Sequence, residues 1–558
     1  MSYLFDRLKS VIVDTISFFE ERRFGILTLF LWVVFLSAAR MWIEALLLDY
    51  PYKEISYDYF FVHAHLTCFF VTSFIAGLLI LKFFSKQKLS KVANLTALGF
   101  TLVLLPPFID LFILKNPSSY TYGSPDWIPN LFKFFTFQLE EGFSAFYEGG
   151  EGIIYELFMI MIAACLYVFI KTKSIIRSFL NGLSLFLLFI FIGSPQLILL
   201  RPITGQLIHP LFILRYLILS IILLLILLFM IRKELLKSFV KSSRLLTTSH
   251  FAFMTIIGII ISGHILSRGS STIMISDLYN LFLVFIRQMN PVEIYSFAKL
   301  FIGNIGTFGI SVFSIIFVWQ YSVMINHVYD IEIDNIDNKN RLIPKKLLSK
   351  IQVREIAVVY AIVAIGLSVL LGVWSFLLVV FGIFLGTIYS VGPIRLRDTA
   401  FSTLIIGAGS MIAFFIGYVT PGYIQVMHGE NAGKIIYTYP EITMQALFIG
   451  LIIFICLSIG PLAKDYKDYK GDKKAGVKNL FTAYGVKKGV MIVSILLPIT
   501  FFSLLLLFNS LVDIIILVPI GILTGILFYR FKKTELIFAL YFPVIIYCLL
   551  RWFEIIRF

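Results

Sequence analysis

The sequence predicts an all-α polytopic membrane protein, a nine-helix bundle preceded by about six additional transmembrane helices. Three observations predict it. Of the 558 residues, 59% are hydrophobic and only 14% charged, and the mean hydropathy is +0.93. The apolar residues fall in runs long enough for the ~20 residues that a helix needs to cross the hydrocarbon core. The 47 Lys and Arg, set against 32 Asp and Glu for a net charge of +15, punctuate those runs rather than cover a water-exposed face. A soluble globular enzyme is excluded. The positive charge belongs to membrane orientation, and no nucleic-acid partner is expected.

Taken in order, the apolar windows place six spans near 25–48, 60–84, 92–114, 152–170, 175–194 and 210–231. Nine more follow near 251–266, 299–325, 355–373, 375–390, 400–420, 442–460, 489–508, 511–529 and 535–550. With the N-terminus in the cytoplasm, the segments assigned to the inside hold 35 of the 47 Lys and Arg. That is the bias of the positive-inside rule, and it sets the C-terminus outside. Arg7, Lys9, Arg22 and Arg23 precede the first span without a small-residue cleavage site, so that span is expected to be retained. Cys68, Cys165, Cys456 and Cys548 lie far apart inside apolar runs, which predicts neither disulfides nor a zinc site. The basic, polar stretch from Lys233 to Ser249 divides the chain into an N-terminal domain, 1–245, and a C-terminal domain, 246–558.

Acidic residues concentrate at the expected cytoplasmic ends of two spans in the second half. In the first cluster Asn326, Asp330 and Asp334 recur at i, i+4 and i+8; in the second Asp465, Asp468 and Asp472 recur at i, i+3 and i+7. Each set shares one helical face. Carboxylate-lined helix ends suit Mg²⁺, which takes oxygen ligands and is commonly shared between carboxylates and substrate phosphates. A Mg²⁺-bridged diphosphate is the ligand this predicts. Arg341, Lys345, Lys346, Lys464, Lys467, Lys470, Lys473 and Lys474 interleave with the aspartates and offer donors to phosphate oxygens.

These residues resemble those of the UbiA-type intramembrane prenyltransferases. The family's NxxxDxxxD and DxxDxxxD motifs match Asn326/Asp330/Asp334 and Asp465/Asp468/Asp472, and its YSxxPxRLK loop looks like the segment from Tyr389 to Arg397. The resemblance covers about residues 246–558. Its motifs are most similar to the branch containing digeranylgeranylglyceryl phosphate synthase and chlorophyll synthase. Two positions depart from that pattern: Arg341-Leu-Ile-Pro344-Lys-Lys stands where relatives carry RPIPSG, and His327 stands where Asp is frequent.

The resemblance implies transfer of a polyprenyl group from an allylic diphosphate to a lipid or aromatic acceptor, with release of diphosphate. It assigns Asp330, Asp334, Asp465, Asp468 and Asp472 as metal-binding catalytic carboxylates, with Asn326 adding its amide oxygen. Arg341, Lys464, Arg395 and Arg397 are the expected phosphate contacts, and Tyr389, Tyr329 and Tyr466 stand beside the motifs. Two other readings stay open: phosphoribosyl transfer to a polyprenyl phosphate on the same fold, and a cation-coupled lipid transporter. The expected location is the cell membrane, with the N-terminus and active-site loops cytoplasmic. In the front domain Arg40, Asp110, Glu156 and Arg215 are charges placed in or near spans, where mutual ion pairing or a functional site would explain them. The segment from Tyr120 to Gly152, with Glu140, Glu141, Glu148 and Glu151, is expected to form an outer interfacial cap.

Overall fold

The computed structural model describes residues 13–22, 24–47, 57–113, 151–193, 208–269, 291–331, 341–392, 395–399, 402–420, 422–425, 435–438, 441–474 and 479–552, with a few isolated positions that include Asp334. Nearly all of the Tyr120 to Gly152 segment lies outside the described residues. The chain divides into two compact units, Met1–Ser238 and Phe239–Phe558.

Apolar runs without interior polar breaks become helices, because in lipid a backbone must satisfy its own hydrogen bonds. In the first unit these are α1 (Ile26–Leu47), α2 (Tyr57–Ser85), α3 (Leu89–Gly99), α4 (Glu151–Thr172), α5 (Ile175–Gly193) and α6 (Ile208–Ile231); the short α7 (Lys233–Ser242) begins in it and ends in the second unit. The third span is not one helix. Beyond α3 it passes through a 3₁₀ segment, Phe100–Leu104, a single turn, Pro106–Phe108, and a π turn, Ile109–Ile113. Pro106 and Pro107 cause the break, since proline lacks the N–H and crowds the preceding turn.

Arg40 of α1 takes up a carbonyl of the broken segment, donating from Nη1 to Val103 O at 2.5 Å. The same guanidinium pairs with Glu44 and lies 3.8 Å from Glu156 of α4. Arg215 is placed differently: it stacks on Tyr216 at 5.2 Å and donates to Phe191 O at 3.2 Å. The apolar core of this unit gathers Val33, Leu36, Phe74, Leu78, Val168 and Leu185. At its other end the buried Glu20 accepts from Lys171 at 2.7 Å and from the Tyr167 hydroxyl at 3.0 Å.

The second unit contains α8 (Leu245–Gly269), α9 (Pro291–Tyr329), α10 (Lys350–Val369), α11 (Val373–Ser390), α12 (Ser402–Tyr418), α13 (Met444–Ile459), α14 (Leu462–Lys474), α15 (Leu480–Tyr484), α16 (Val486–Phe502), α17 (Leu511–Phe531) and α18 (Thr534–Trp552). The helical fold class holds, and the connection between α12 and α13 carries a short antiparallel pair of strands, β1 (Gly422–Gln425) and β2 (Ile435–Thr438). Its register runs from Gly422 opposite Thr438 to Gln425 opposite Ile435. Helices α8 and α12 cross closely: a Cβ built on Gly417 would stand 1.9 Å from Thr255 O, and one on Gly258 would stand 2.0 Å from Phe414 O. Only residues without a side chain allow backbones so near. Phe414, Tyr418 and Ala446 form one core cluster, and Phe481, Val493, Leu497 and Phe528 belong to another.

Each of the fifteen expected spans falls on one of these apolar helical segments. Among the described residues twelve are long and apolar enough to cross a membrane by length and composition, while those within 175–189, 402–418 and 539–548 are shorter. The protein is a multi-pass membrane protein.

Candidate active site

The first acidic motif sits where α9 leaves its span. Helical hydrogen bonding continues past Tyr329, with Asp330 N donating to Asn326 O at 2.9 Å and Asp334 N to Asp330 O at 2.8 Å. Asn326, Asp330 and Asp334 therefore share one face. Both carboxylates are buried, at 2% exposure, and a buried carboxylate needs charged or hydrogen-bonded partners.

Asp334 meets such partners in Arg341 and His327. Arg341 pairs with Oδ1, and His327 Nδ1 lies 3.4 Å from Oδ2. Burial, the largest influence, pushes the Asp334 pKa up; hydrogen bonds from His327 and Arg341 outweigh it and hold the carboxyl below its ordinary range. His327 Nε2 also lies 3.5 Å from Ser242 O, so the ring bridges the end of α7 and the motif.

Asp330 is met from the turn after α11. Gly392 there takes φ 114°, a conformation that favours glycine, and the chain returns towards α9. Arg397 pairs directly with Asp330 Oδ2, while Arg395 Nη1 lies 3.5 Å from Oδ1. Arg395 also holds Asp398 at 2.7 Å. Asn326 Oδ1 accepts from Ser390 Oγ and Arg397 Nη1, both at 3.3 Å. The YSxxPxRLK-like segment and the first motif are thus joined by four contacts.

The second motif lies on α14, which keeps Asp465, Asp468 and Asp472 in helical register. Asp465 is half-buried and Lys464 exposed; the side chains of Asp468 and Asp472 lie outside the described residues. Tyr466 packs edge-on against Phe481, with ring centroids 5.9 Å apart. Tyr329 is exposed, with Lys350 Nζ 5.9 Å from its ring centroid. Tyr389 lies within electrostatic reach of Asp465, Asp398 and Arg244, which brings the second motif towards the loop after α11.

Arg244 is the residue that sequence reasoning used only to mark a boundary. It occupies the left-handed region at φ 48° and interacts electrostatically with Arg341, Tyr389, Arg397 and Asp334. Its side chain opens to solvent, yet enough protein surrounds it that desolvation first, and Arg341 next, lower its pKa from the ordinary guanidinium value. The only signal in the sequence was a cation at the inner end of a span, indistinguishable there from a charge that sets orientation.

Among the described residues no group of three or more Asp, Glu, His or Cys closes into a metal site. Glu332, Asp337 and the side chains of Asp468 and Asp472 are outside that set. What is assembled is a pair of buried carboxylates ringed by Arg244, Arg341, Arg395 and Arg397. Hard oxygen ligands beside bidentate guanidinium forks are the chemistry of phosphate recognition, so fold and site define a membrane protein equipped to hold a phosphorylated ligand at the ends of its spans. More specifically, residues 294–541 match the model of the UbiA prenyltransferase family, and the chain carries a UbiA family domain there.

Digeranylgeranylglyceryl phosphate synthase of Saccharolobus solfataricus is 26% identical over 208 residues, which are 36% of this chain and 67% of that protein. The chloroplastic chlorophyll synthase of Oryza sativa subsp. japonica is 27% identical over 175 residues, 30% of this chain and 42% of its own length. The chain thus spans between about two fifths and two thirds of these curated relatives. A solved structure described as giving insights into digeranylgeranylglyceryl phosphate synthase in membranes has 18% identity and a TM-score of 0.39, covering 57% of this chain and 97% of that one.

Proposed function

We propose that this protein transfers a polyprenyl group from an allylic diphosphate to a hydrophobic lipid or aromatic acceptor, releasing diphosphate, in a Mg²⁺-dependent reaction. One observation carries the reading: Asn326, Asp330 and Asp334 share a face that meets Arg341, Arg395 and Arg397 directly. The donor set fits a hard cation, since every motif ligand is an oxygen and two of the carboxylates are buried together at one helix end. Asp330, Asp334, Asp465, Asp468 and Asp472 would hold Mg²⁺, which when bound neutralises charge on the departing diphosphate.

The chain's own cations do the rest of the binding. Arg341, Arg395 and Arg397 reach phosphate oxygens through the same N–H forks that now face carboxylates, and Arg244 and Lys464 extend the positive field. Tyr389 lies beside them as a substrate contact. Apolar walls within the bilayer exclude water from the allylic cation formed as the bond to diphosphate breaks. The transferase corresponds to the domain 246–558. The basic bias of the connecting segments favours the cell membrane, with the N-terminus and these loops facing the cytoplasm.

Purified protein incubated with radiolabelled geranylgeranyl diphosphate, Mg²⁺ and a lipid extract tests the reading. Label is expected in a new organic-soluble product and is expected to disappear with EDTA. Failure to transfer label, with cation-coupled lipid flux in reconstituted vesicles instead, would overturn it.

A further inference from the structure

Inside the first unit the Arg40 guanidinium is shared unequally. Its Nε pairs directly with Glu44, one turn further along α1, and its Nη1 donates to Val103 O of the broken third span at 2.5 Å. Glu156 of α4 comes to 3.8 Å from the same Nη1 without entering hydrogen-bond contact. It is 7% exposed, and no hydrogen-bond donor reaches its carboxyl among the described residues. Glu156 is also within electrostatic reach of Glu44, and Glu44 of Asp110, which is buried on the π turn. Helices α2 and α5 pack on α4 as well, and among the described residues they bring no charged group within reach of Glu156.

An ionised carboxylate at this depth would need the guanidinium in contact, because a buried charge without hydrogen bonds is strongly disfavoured. A protonated carboxyl is neutral, and it can stand 3.8 Å from Nη1 beside a second carboxylate at little cost. We propose that Glu156 is a proton-binding site of the first unit: its carboxyl holds a proton at neutral pH, exchanges it with water, and so sets how Arg40 is shared. The site is independent of the prenyl transfer reading. Binding forms the O–H bond of the acid and leaves Nη1 on the Val103 carbonyl; release returns the proton to water and leaves a carboxylate that draws Nη1 away from that carbonyl. Val103 lies in a stretch whose helical hydrogen bonds are already interrupted by the 3₁₀ and π turns. The proton therefore keeps the broken segment fastened to α1, and its loss unfastens it. An ionisable group inside the bilayer beside an interrupted helix is an arrangement suited to ion binding.

Infrared spectroscopy of the full-length protein in lipid vesicles reads the C=O stretch of protonated carboxyls directly. At about pH 7, where an ordinary glutamate is ionised, wild type is expected to show such a band, and Glu156→Gln to lose the intensity of one carboxyl. Glu44→Gln relieves Nε of its carboxylate, so Glu156 can take the guanidinium and ionise, and the same intensity is expected to disappear. Thermal melts give a second readout. Only wild type must give up the proton as pH rises, so the midpoint of Glu156→Gln should climb relative to wild type between about pH 5 and about pH 9. Absence of a protonated-carboxyl band in wild type at about pH 7, or a band undiminished in Glu156→Gln, overturns the proposal. So does a Glu156→Gln midpoint that stays below wild type by one constant margin over that range, the behaviour of an ionised glutamate paired with Arg40. Should Glu156→Gln not yield monodisperse protein, Glu44→Gln decides, and an undiminished band there overturns the proposal.

Discussion

Replacing Asp330 with Asn separates binding chemistry from folding, because the charge is removed while the shape is kept. The Asp330 side chain is 2% exposed, but its partners Arg395 and Arg397 are 29% and 21% exposed and reach water. Each also keeps a second acceptor once the charge is gone, Arg395 at Asp398 and Arg397 at the Asn326 oxygen. The stability cost is therefore near the ~1 kcal/mol of an exposed pair rather than the ~3–5 kcal/mol of stranding a fully buried one. For the unit Phe239–Phe558 that is a shift of about 1–2 °C in melting midpoint. Transfer suffers far more, since removing one group that stabilises developing charge costs about 10²–10³ in rate. The comparison needs initial rates with labelled geranylgeranyl diphosphate and a thermal melt of the same preparations. An Asp330→Asn protein that transfers at more than about a tenth of the wild-type rate would refute the assignment. So would one that melts some 10 °C lower while its folded fraction turns over normally, which would make Asp330 a structural ion pair.

Three further predictions concern the helical frame. Glu20 has a pKa below its ordinary value of 4.5, burial raising it but Lys171 and Tyr167 lowering it more. The stability this carboxylate confers is complete above the unfolded-chain value and is lost as pH falls through the lower folded one. Thermal midpoints should hence be flat above about pH 5 and fall below about pH 4, and Glu20→Gln should flatten the acid limb while lowering the plateau by about 1–3 kcal/mol. At the α8–α12 crossing, Gly417→Ala puts a methyl group 1.9 Å from backbone that cannot swing aside, and gel filtration should show loss of monodisperse protein. Gly77→Ala meets nothing within 4 Å and should match wild type or gain up to about 1 kcal/mol from helix propensity.

The spans were legible because lipid imposes one requirement on every run, length and apolarity, and cations mark the ends. What the run length hides is continuity: the third span was read as a single helix, and Pro106-Pro107 splits it into four pieces. The strands β1 and β2 were missed since Gly-Tyr-Ile-Gln and Ile-Ile-Tyr-Thr are too short for a period to show, although β-branched and aromatic residues were the signal. Spacing at i, i+4 and i+8 was enough to align Asn326, Asp330 and Asp334. It could not say which amide atom Asn326 presents, because that depends on Ser390 and Arg397, more than sixty residues away. Arg244 escaped for the same reason, its partners lying about a hundred residues or more further along the chain.

The glycine-notched crossing of α8 and α12 also sets a timetable. Thr255 Oγ1 donates to Ala413 O across 158 residues of sequence, and α9, α10 and α11 must enter the membrane between the two halves of the contact. At ~5–20 residues per second, synthesis of that interval takes about 8–30 s. Throughout it, the recess at Gly258 faces lipid tails instead of its partner backbone. A nascent chain halted before residue 402 is a chain with an open seam, since the backbone that fills the recess at Gly258 belongs to α12.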